Sequence, residues 1–166
     1  AALHAAGVVH GNLKTTNVFV ADDGLDGLVG DYAAGRRPDF DKCSTSVLNY
    51  YDPAFVKGGD ASNESDVYSM GIVLLELLAS QRDGEVPAVQ NGGGGGPLDE
   101  FADAAAQGGW PEDVAREVIE LAAACVRPNA RRRKSADIIA RALKQIARDE
   151  VDEAGNVVTL MRLADK

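Results

Sequence analysis

Ser65-Asp66-Val67-Tyr68-Ser69-Met70-Gly71-Ile72-Val73-Leu74-Leu75-Glu76-Leu77-Leu78 is the stretch that decides how the rest of the chain folds. Ser65 and Asp66 are residue types that accept hydrogen bonds from the orphan N–H groups of a first helical turn, so they predict a helix start. Val67, Met70, Val73, Leu74, Leu77 and Leu78 follow at near i, i+3, i+4 spacing, and Ile72 and Leu75 widen the stripe. A helix apolar on most sides lies in the middle of its domain, and this one is expected to be the core. The apolar run from Val67 to Leu78 contains Glu76 and falls short of the roughly 20 residues needed to cross a bilayer.

Downstream, Pro111-Glu112-Asp113 opens a second helix with Val114, Val118, Ile119, Leu121 and Ala122 as its apolar face. Ser135 opens a third through Ile138, Ile139, Ala142, Leu143 and Ile146. Between the first and second, residues 81–97 include five consecutive glycines and form a flexible insertion loop, followed by a short helix from Leu98 to Ala106. Upstream, Ala1 to Ala6 favour helix and stop at Gly7. Val18-Phe19-Val20 and the region around Leu28-Val29 are strands flanking the turn chemistry of Asp22-Asp23-Gly24, which makes a hairpin. From Tyr32 to Asp52 no periodicity is visible, and a loop is expected. The acidic tail 149–166 is either disordered or adds a strand at Val157 to Met161. The fold class is therefore mainly α with a small β-hairpin.

The chain has 166 residues, 45% hydrophobic, enough to bury one core. A net charge of -9 and a pI near 4.6 argue against nucleic acid or an anionic membrane as partner, since both would repel the surface on average. Only Cys43 and Cys125 are present, without metal-ligand spacing, which fits a reducing compartment and neither a disulfide framework nor a zinc site.

Upstream of the central helix, His10-Gly11-Asn12-Leu13-Lys14-Thr15-Thr16-Asn17 resembles the protein-kinase catalytic loop H-R-D-L-x-x-x-N, with His10, Leu13, Lys14 and Asn17 in place. Later landmarks follow in order. Asp31-Tyr32-Ala33 resembles D-F-G, Asp52-Pro53-Ala54 resembles A-P-E, Ser65 to Gly71 resembles the start of the large C-lobe helix, and Cys125 to Arg133 resembles C-x-x-P-x-x-x-x-R. The resemblance covers residues 1 to about 148, and the wording is most similar to plant receptor-like kinases. It implies a protein-kinase-like C-terminal lobe. No G-x-G-x-x-G strand-loop and no V-A-I-K lysine precede His10, so the N-lobe is expected to be absent from this chain.

The resemblance also implies roles. Asn17 and Asp31 would hold magnesium and, through it, ATP, while Lys14 would steady the transferred phosphoryl group. Asp66 would accept backbone N–H groups from the catalytic loop as well as cap its helix, and His10 would be structural. Ser44, Thr45 and Ser46 fall in the activation segment and become phosphorylation candidates, against the plainer alternative of a solvated loop with incidental hydroxyls. Arg133 in the family pairs, buried, with the Glu of A-P-E. Here that Glu is Ala54, so Arg133 must be exposed or paired with another acid such as Asp52.

Several substitutions fall on the chemistry itself. Asn12 stands where the family has the catalytic Asp, and an amide has no useful basicity at neutral pH. Gly11 replaces the Arg that reads a phosphorylated activation segment, Val47 replaces a hydrogen-bonding Thr, and Ala33 replaces the Gly of D-F-G. The expectation is a catalytically degenerate pseudokinase that serves as a binding or scaffold module in phosphorylation signalling. Its partners would be other kinases or signalling proteins on the cytoplasmic side of a membrane that this segment does not touch. ATP and magnesium binding by this chain alone would be weak or absent. Two alternatives stand beside it: a parent that is a weakly active serine/threonine kinase using Asp31, Asn17 and Lys14, and a truncated product without function.

Overall fold

The computed structural model describes residues 1–20, 27–32, 38–79, 105 and 109–149. The turn at Asp22 to Gly24, Ala33, the loop 81–97, the helix from Leu98 to Ala106 apart from Ala105, and the tail beyond Asp149 lie outside the described residues. Helix α1 (Ala2–Ala5) ends at Gly7, whose φ of 72° puts it in the left-handed region. The Gly7 N–H donates to the His4 carbonyl at 3.0 Å and the Val8 N–H to the Leu3 carbonyl at 2.8 Å. These are the two bonds of a Schellman closure, which needs a residue free to take positive φ.

Strands β1 (Val18–Val20) and β2 (Gly27–Val29) pair antiparallel with Val18 opposite Val29 and Phe19 opposite Leu28. The hairpin at the expected place is thus present. The stretch expected as a loop is more ordered than its sequence suggested. Phe40–Lys42 forms a single 3-10 turn, and α2 (Thr45–Leu48) starts from Ser44, whose hydroxyl accepts from the Val47 N–H at 3.4 Å. Four-residue helices carry no readable period, which is why pattern alone missed α2. Helix α3 (Pro53–Val56) has Pro53 at its first turn and Asp52 as its cap, accepting from the Ala54 N–H at 2.9 Å.

The central helix α4 (Asn63–Ala79) begins two residues before Ser65. Asp66 is therefore not a cap. Ser62 and Ser65 bond reciprocally instead: the Ser62 N–H donates to Ser65 Oγ at 2.8 Å, and the Ser65 N–H to Ser62 Oγ at 3.2 Å. This is a capping box with Ser in the position usually held by Glu or Gln. The displaced Asp66 carboxylate is free for other bonds.

Ile72, Leu75 and Leu78 are fully buried, as expected of a core helix, but Leu77 is 53% exposed. Polar groups take the buried positions that face the rest of the chain instead: Ser65, Asp66, Ser69 and Glu76. Helices α5 (Glu112–Cys125) and α6 (Ala136–Asp149) complete the core. All five apolar positions read for α5 are buried; on α6 Ile139 is buried and Ile138 is exposed. Helix α4 lies against α5 at Gly71, where an added Cβ would sit 2.7 Å from Cys125 Cβ and 3.1 Å from the Ala122 carbonyl oxygen. Among the described residues the architecture is mostly helical with one two-stranded hairpin. No helix among the described residues is long and apolar enough to cross a membrane.

Candidate functional site

The site forms where the segment His10 to Asn17 passes between the hairpin and the start of α4. Asp66, on the first turns of that helix, holds the entry. Its Oδ2 accepts from the His10 N–H at 2.7 Å and from His4 Nε2 at 2.8 Å, and its Oδ1 accepts from the Gly11 N–H at 2.8 Å. A buried carboxylate with three donors is what a backbone turn without its own ladder requires. Gly11 has φ 70°, a conformation in which a side chain is strained, so its glycine serves the backbone as well as removing the family's Arg.

His10 is buried and its tautomer follows from its partners. The Asn12 N–H donates to Nδ1 at 3.2 Å, so Nε2 carries the proton and donates to the Gly30 carbonyl at 3.1 Å. The Gly30 N–H in turn donates to the Asn17 carbonyl at 2.9 Å. Both ends of the loop therefore grip the residue before Asp31, which itself has φ 56°.

This arrangement brings Asn12, Asn17 and Asp31 together. Asn12 Nδ2 donates to Asp31 Oδ2 at 2.8 Å and to the Asp31 carbonyl at 3.2 Å. Asn17 is buried, and its Nδ2 donates to the Asn12 carbonyl at 2.8 Å. Lys14 is half-buried in extended backbone, and its carbonyl accepts from the Asn17 N–H at 3.0 Å.

Two contributors escaped sequence reasoning. Tyr51 donates its hydroxyl to Asn12 Oδ1 at 2.8 Å, with its ring packed edge-on to Phe40 at 5.1 Å and beside Phe55 at 6.0 Å. Burial, then the nearby Cys43 and Asp31 charges, push its phenol up to about 12. The second contributor is a buried relay. Tyr50 donates to Glu76 on α4 and therefore accepts from Thr15 Oγ1, which lies 2.9 Å away. Burial first and the Glu76 bond second push the Tyr50 phenol up to about 12. Glu76, an acid within an apolar helix, was the visible signal: such a residue stays buried only with a donor aimed at it.

Arg133 is buried and takes the second of its two alternatives. It pairs with Asp52, donates from Nη1 to the Glu64 carbonyl at 2.9 Å and from Nε to the Arg127 carbonyl at 2.8 Å, and lies over the Tyr68 ring at 5.1 Å. Ser44 and Thr45 are exposed, Ser44 as the N-cap of α2 and Thr45 as its first residue, and the side chain of Ser46 lies outside the described residues.

The oxygens of Asp31 and Asn17 are hard donors of the type magnesium takes. A cation here would share the Asp31 carboxylate with the Asn12 N–H, which bonds one of its two oxygens and sets the positive end of an amide dipole beside it. No group of three or more His, Cys, Asp or Glu among the described residues is arranged to hold a metal ion.

Comparison with known proteins agrees with these landmarks. The protein kinase domain profile matches residues 1–145. A probable LRR receptor-like serine/threonine-protein kinase of Arabidopsis thaliana is 30% identical over 140 residues, which is 76% of this chain and 16% of that protein. The proline-rich receptor-like protein kinase PERK4 of the same plant is 28% identical over 166 residues, 88% of this chain and 26% of that protein. Wall-associated receptor kinase 4 is 39% identical over 80 residues, 45% of this chain and 11% of that protein. The chain thus spans between roughly a tenth and a quarter of the length of these relatives. With the catalytic-loop, A-P-E-like and central-helix landmarks in order along a match that covers most of its length, the chain belongs to the protein kinase domain family.

Proposed function

We propose that this chain is a protein-kinase-like C-terminal lobe that has lost its phosphotransfer chemistry and serves as a binding and scaffold module in phosphorylation signalling. The observation that carries this reading is the state of Asn12. Its amide stands at the position of the family's base, donates to Asp31 and accepts from Tyr51. It has no lone pair basic enough to take a hydroxyl proton, and a positioned base contributes about 10² to 10⁴ in rate. Gly11 and Val47 support the same reading, since neither supplies the side-chain bond expected of the family residue. Binding of ATP with magnesium is accordingly weak or absent in this chain. Its partners are other kinases or signalling proteins on the cytoplasmic side of a receptor-like parent, and its net charge of -9 disfavours nucleic acid.

A second reading keeps weak serine/threonine kinase activity in a full-length parent, favoured by the retention of Lys14, Asn17 and Asp31. Radiolabel transfer by that parent, with Asp31→Ala as control, separates the two. The scaffold reading expects no transfer above the control; transfer that Asp31→Ala abolishes overturns it. Micromolar affinity for MgATP, by titration calorimetry on this chain, contradicts the cofactor part of the proposal.

A further inference from the structure

Every polar atom of the Asn12 side chain has a partner, and the partners fix its orientation. An amide oxygen only accepts, so the Tyr51 hydroxyl, 2.8 Å away, must be the donor to Oδ1. The NH₂ end is thereby directed at Asp31, reaching Oδ2 at 2.8 Å and the backbone carbonyl at 3.2 Å. Tyr51 cannot easily swing away, because it is 7% exposed and packed edge-on against Phe40 and beside Phe55. The Asn12 backbone is tied down as well, through its carbonyl to Asn17 Nδ2 and through its N–H to His10 Nδ1.

We propose that Tyr51 and Asn12 form a latch that holds the Asp31 carboxylate in place of a cation, so that the cation-free arrangement is the stable one. Tyr51 is the positioning residue, since it selects which end of the amide meets the carboxylate. The proposal rests on the reading of the chain as a degenerate kinase lobe. Its physical basis is a competition at the Asp31 carboxylate. Magnesium takes ligand oxygens at about 2.0–2.1 Å, and here the Asn12 N–H already bonds Oδ2 and sets the positive end of an amide dipole beside any cation that approaches the remaining lone pairs. A carboxylate at residue 12 reverses the situation. Two carboxylates at hydrogen-bonding distance cannot both stay ionised without a proton or a cation between them.

The test uses the full chain without nucleotide, reading thermal stability and the side-chain amide signals of Asn12 and Asn17 by NMR, with manganese chloride as probe. In the wild-type chain, sub-millimolar Mn²⁺ is expected to leave the melting temperature unchanged and to broaden neither amide pair. Asn12→Asp is expected to melt lower in chelator and to regain stability saturably with Mn²⁺, with broadening at Asn17. Tyr51→Phe keeps the ring contacts and removes only the hydroxyl; its Asn12 NH₂ protons are expected to exchange with water several-fold faster. Saturable Mn²⁺ binding by the wild-type chain overturns the latch, as does an Asn12 amide in Tyr51→Phe that exchanges at the wild-type rate. If Asn12→Asp fails to fold even with Mn²⁺, the cation has not replaced the amide and the proposal is also overturned. Phosphotransfer by the parent, by contrast, would remove the scaffold reading while leaving these cation measurements as they are.

Discussion

Arg133 pairs with the carboxylate of Asp52 across 81 positions of sequence, and that carboxylate stands two residues before Ala54, where the resemblance places the family's glutamate. The pair is buried on both sides, and the same Asp52 caps α3 through its other oxygen. Removing one member of a buried pair typically costs about 3–5 kcal/mol because the other charge is stranded. Asp52→Ala is therefore expected to destabilise by at least that much, the lost cap adding about 1 kcal/mol. Urea unfolding checks it. A loss below about 1 kcal/mol would mean that the pair is open to solvent. Ala54→Glu in the Asp52→Ala background is expected to recover part of the loss.

Gly71→Ala sets two effects against each other. Alanine in a helix interior is favoured over glycine by about 1 kcal/mol. Its methyl, however, would meet Cys125 Cβ and Val126 Cγ1 at 2.7 Å and a backbone carbonyl at 3.1 Å. Overpacking of this kind costs about 1–3 kcal/mol, and a neighbouring backbone cannot move aside as a side chain can. A net lowering of the melting temperature is expected; a rise would show that α4 and α5 separate without cost.

Asp66→Asn leaves an acceptor at one oxygen and removes the charge from bonds with the N–H groups of His10 and Gly11. Hydrogen bonds to a charged group contribute about 1.5–3 kcal/mol. Amide exchange at residues 10 and 11 is expected to accelerate about tenfold or more, while the α5 amides change less. Equal acceleration throughout would show that the carboxylate supports the whole core and not the loop entry.

Alkaline pH is expected to unfold the chain in a defined window. Burial pushes the Cys125 thiol from an ordinary 9.0 up to about 11. Burial, with the Asp52 charge behind it, pushes the Tyr68 phenol from 10.0 up to about 12, as burial does for Tyr50 and Tyr51. Each group is neutral when protonated, so the folded chain retains protons that the unfolded chain gives up first. Folded values above unfolded ones mean that this stability is complete below about pH 9 and is lost as pH climbs through about 11 and 12. For Cys125 alone it is on the order of 2–3 kcal/mol. Thermal melts across this range check the sign, and an unchanged melting temperature at pH 11 would contradict it. Maleimide is expected to label the partly exposed Cys43 in the native state and Cys125 only on unfolding.

The long elements were legible because their signals are repetitive. The apolar stripes of α4 and α5 and the hairpin punctuated by turn residues recur often enough to be read locally. Helix α2, the Ser62–Ser65 box and the outward turn of Leu77 were not, since each depends on one or two residues and on what lies opposite. In the site, the motif spacing located His10, Asn12, Asn17 and Asp31 together, and the missing glutamate at Ala54 left Arg133 either exposed or paired with another acid such as Asp52, of which the structure has the second. Glu76 stood out in its apolar helix, but its partners Tyr50 and Thr15, the Tyr51 contact and the His4 contact were not legible, for a physical reason. The groups that meet lie 26 or more, 39 and 62 positions apart, and no local pattern encodes such encounters.

The two attachments of the loop to α4 amount to a ruler. Asp66 grips the backbone at His10 and Gly11, and Glu76, through Tyr50, grips Thr15, ten helical positions farther along, which is a rise of about 15 Å. Adding or deleting one residue between Gly11 and Thr15 would pull one hook off its peg, whether or not any phosphate is ever transferred. Lettering inside the loop can drift, but its length is held by the helix beneath it.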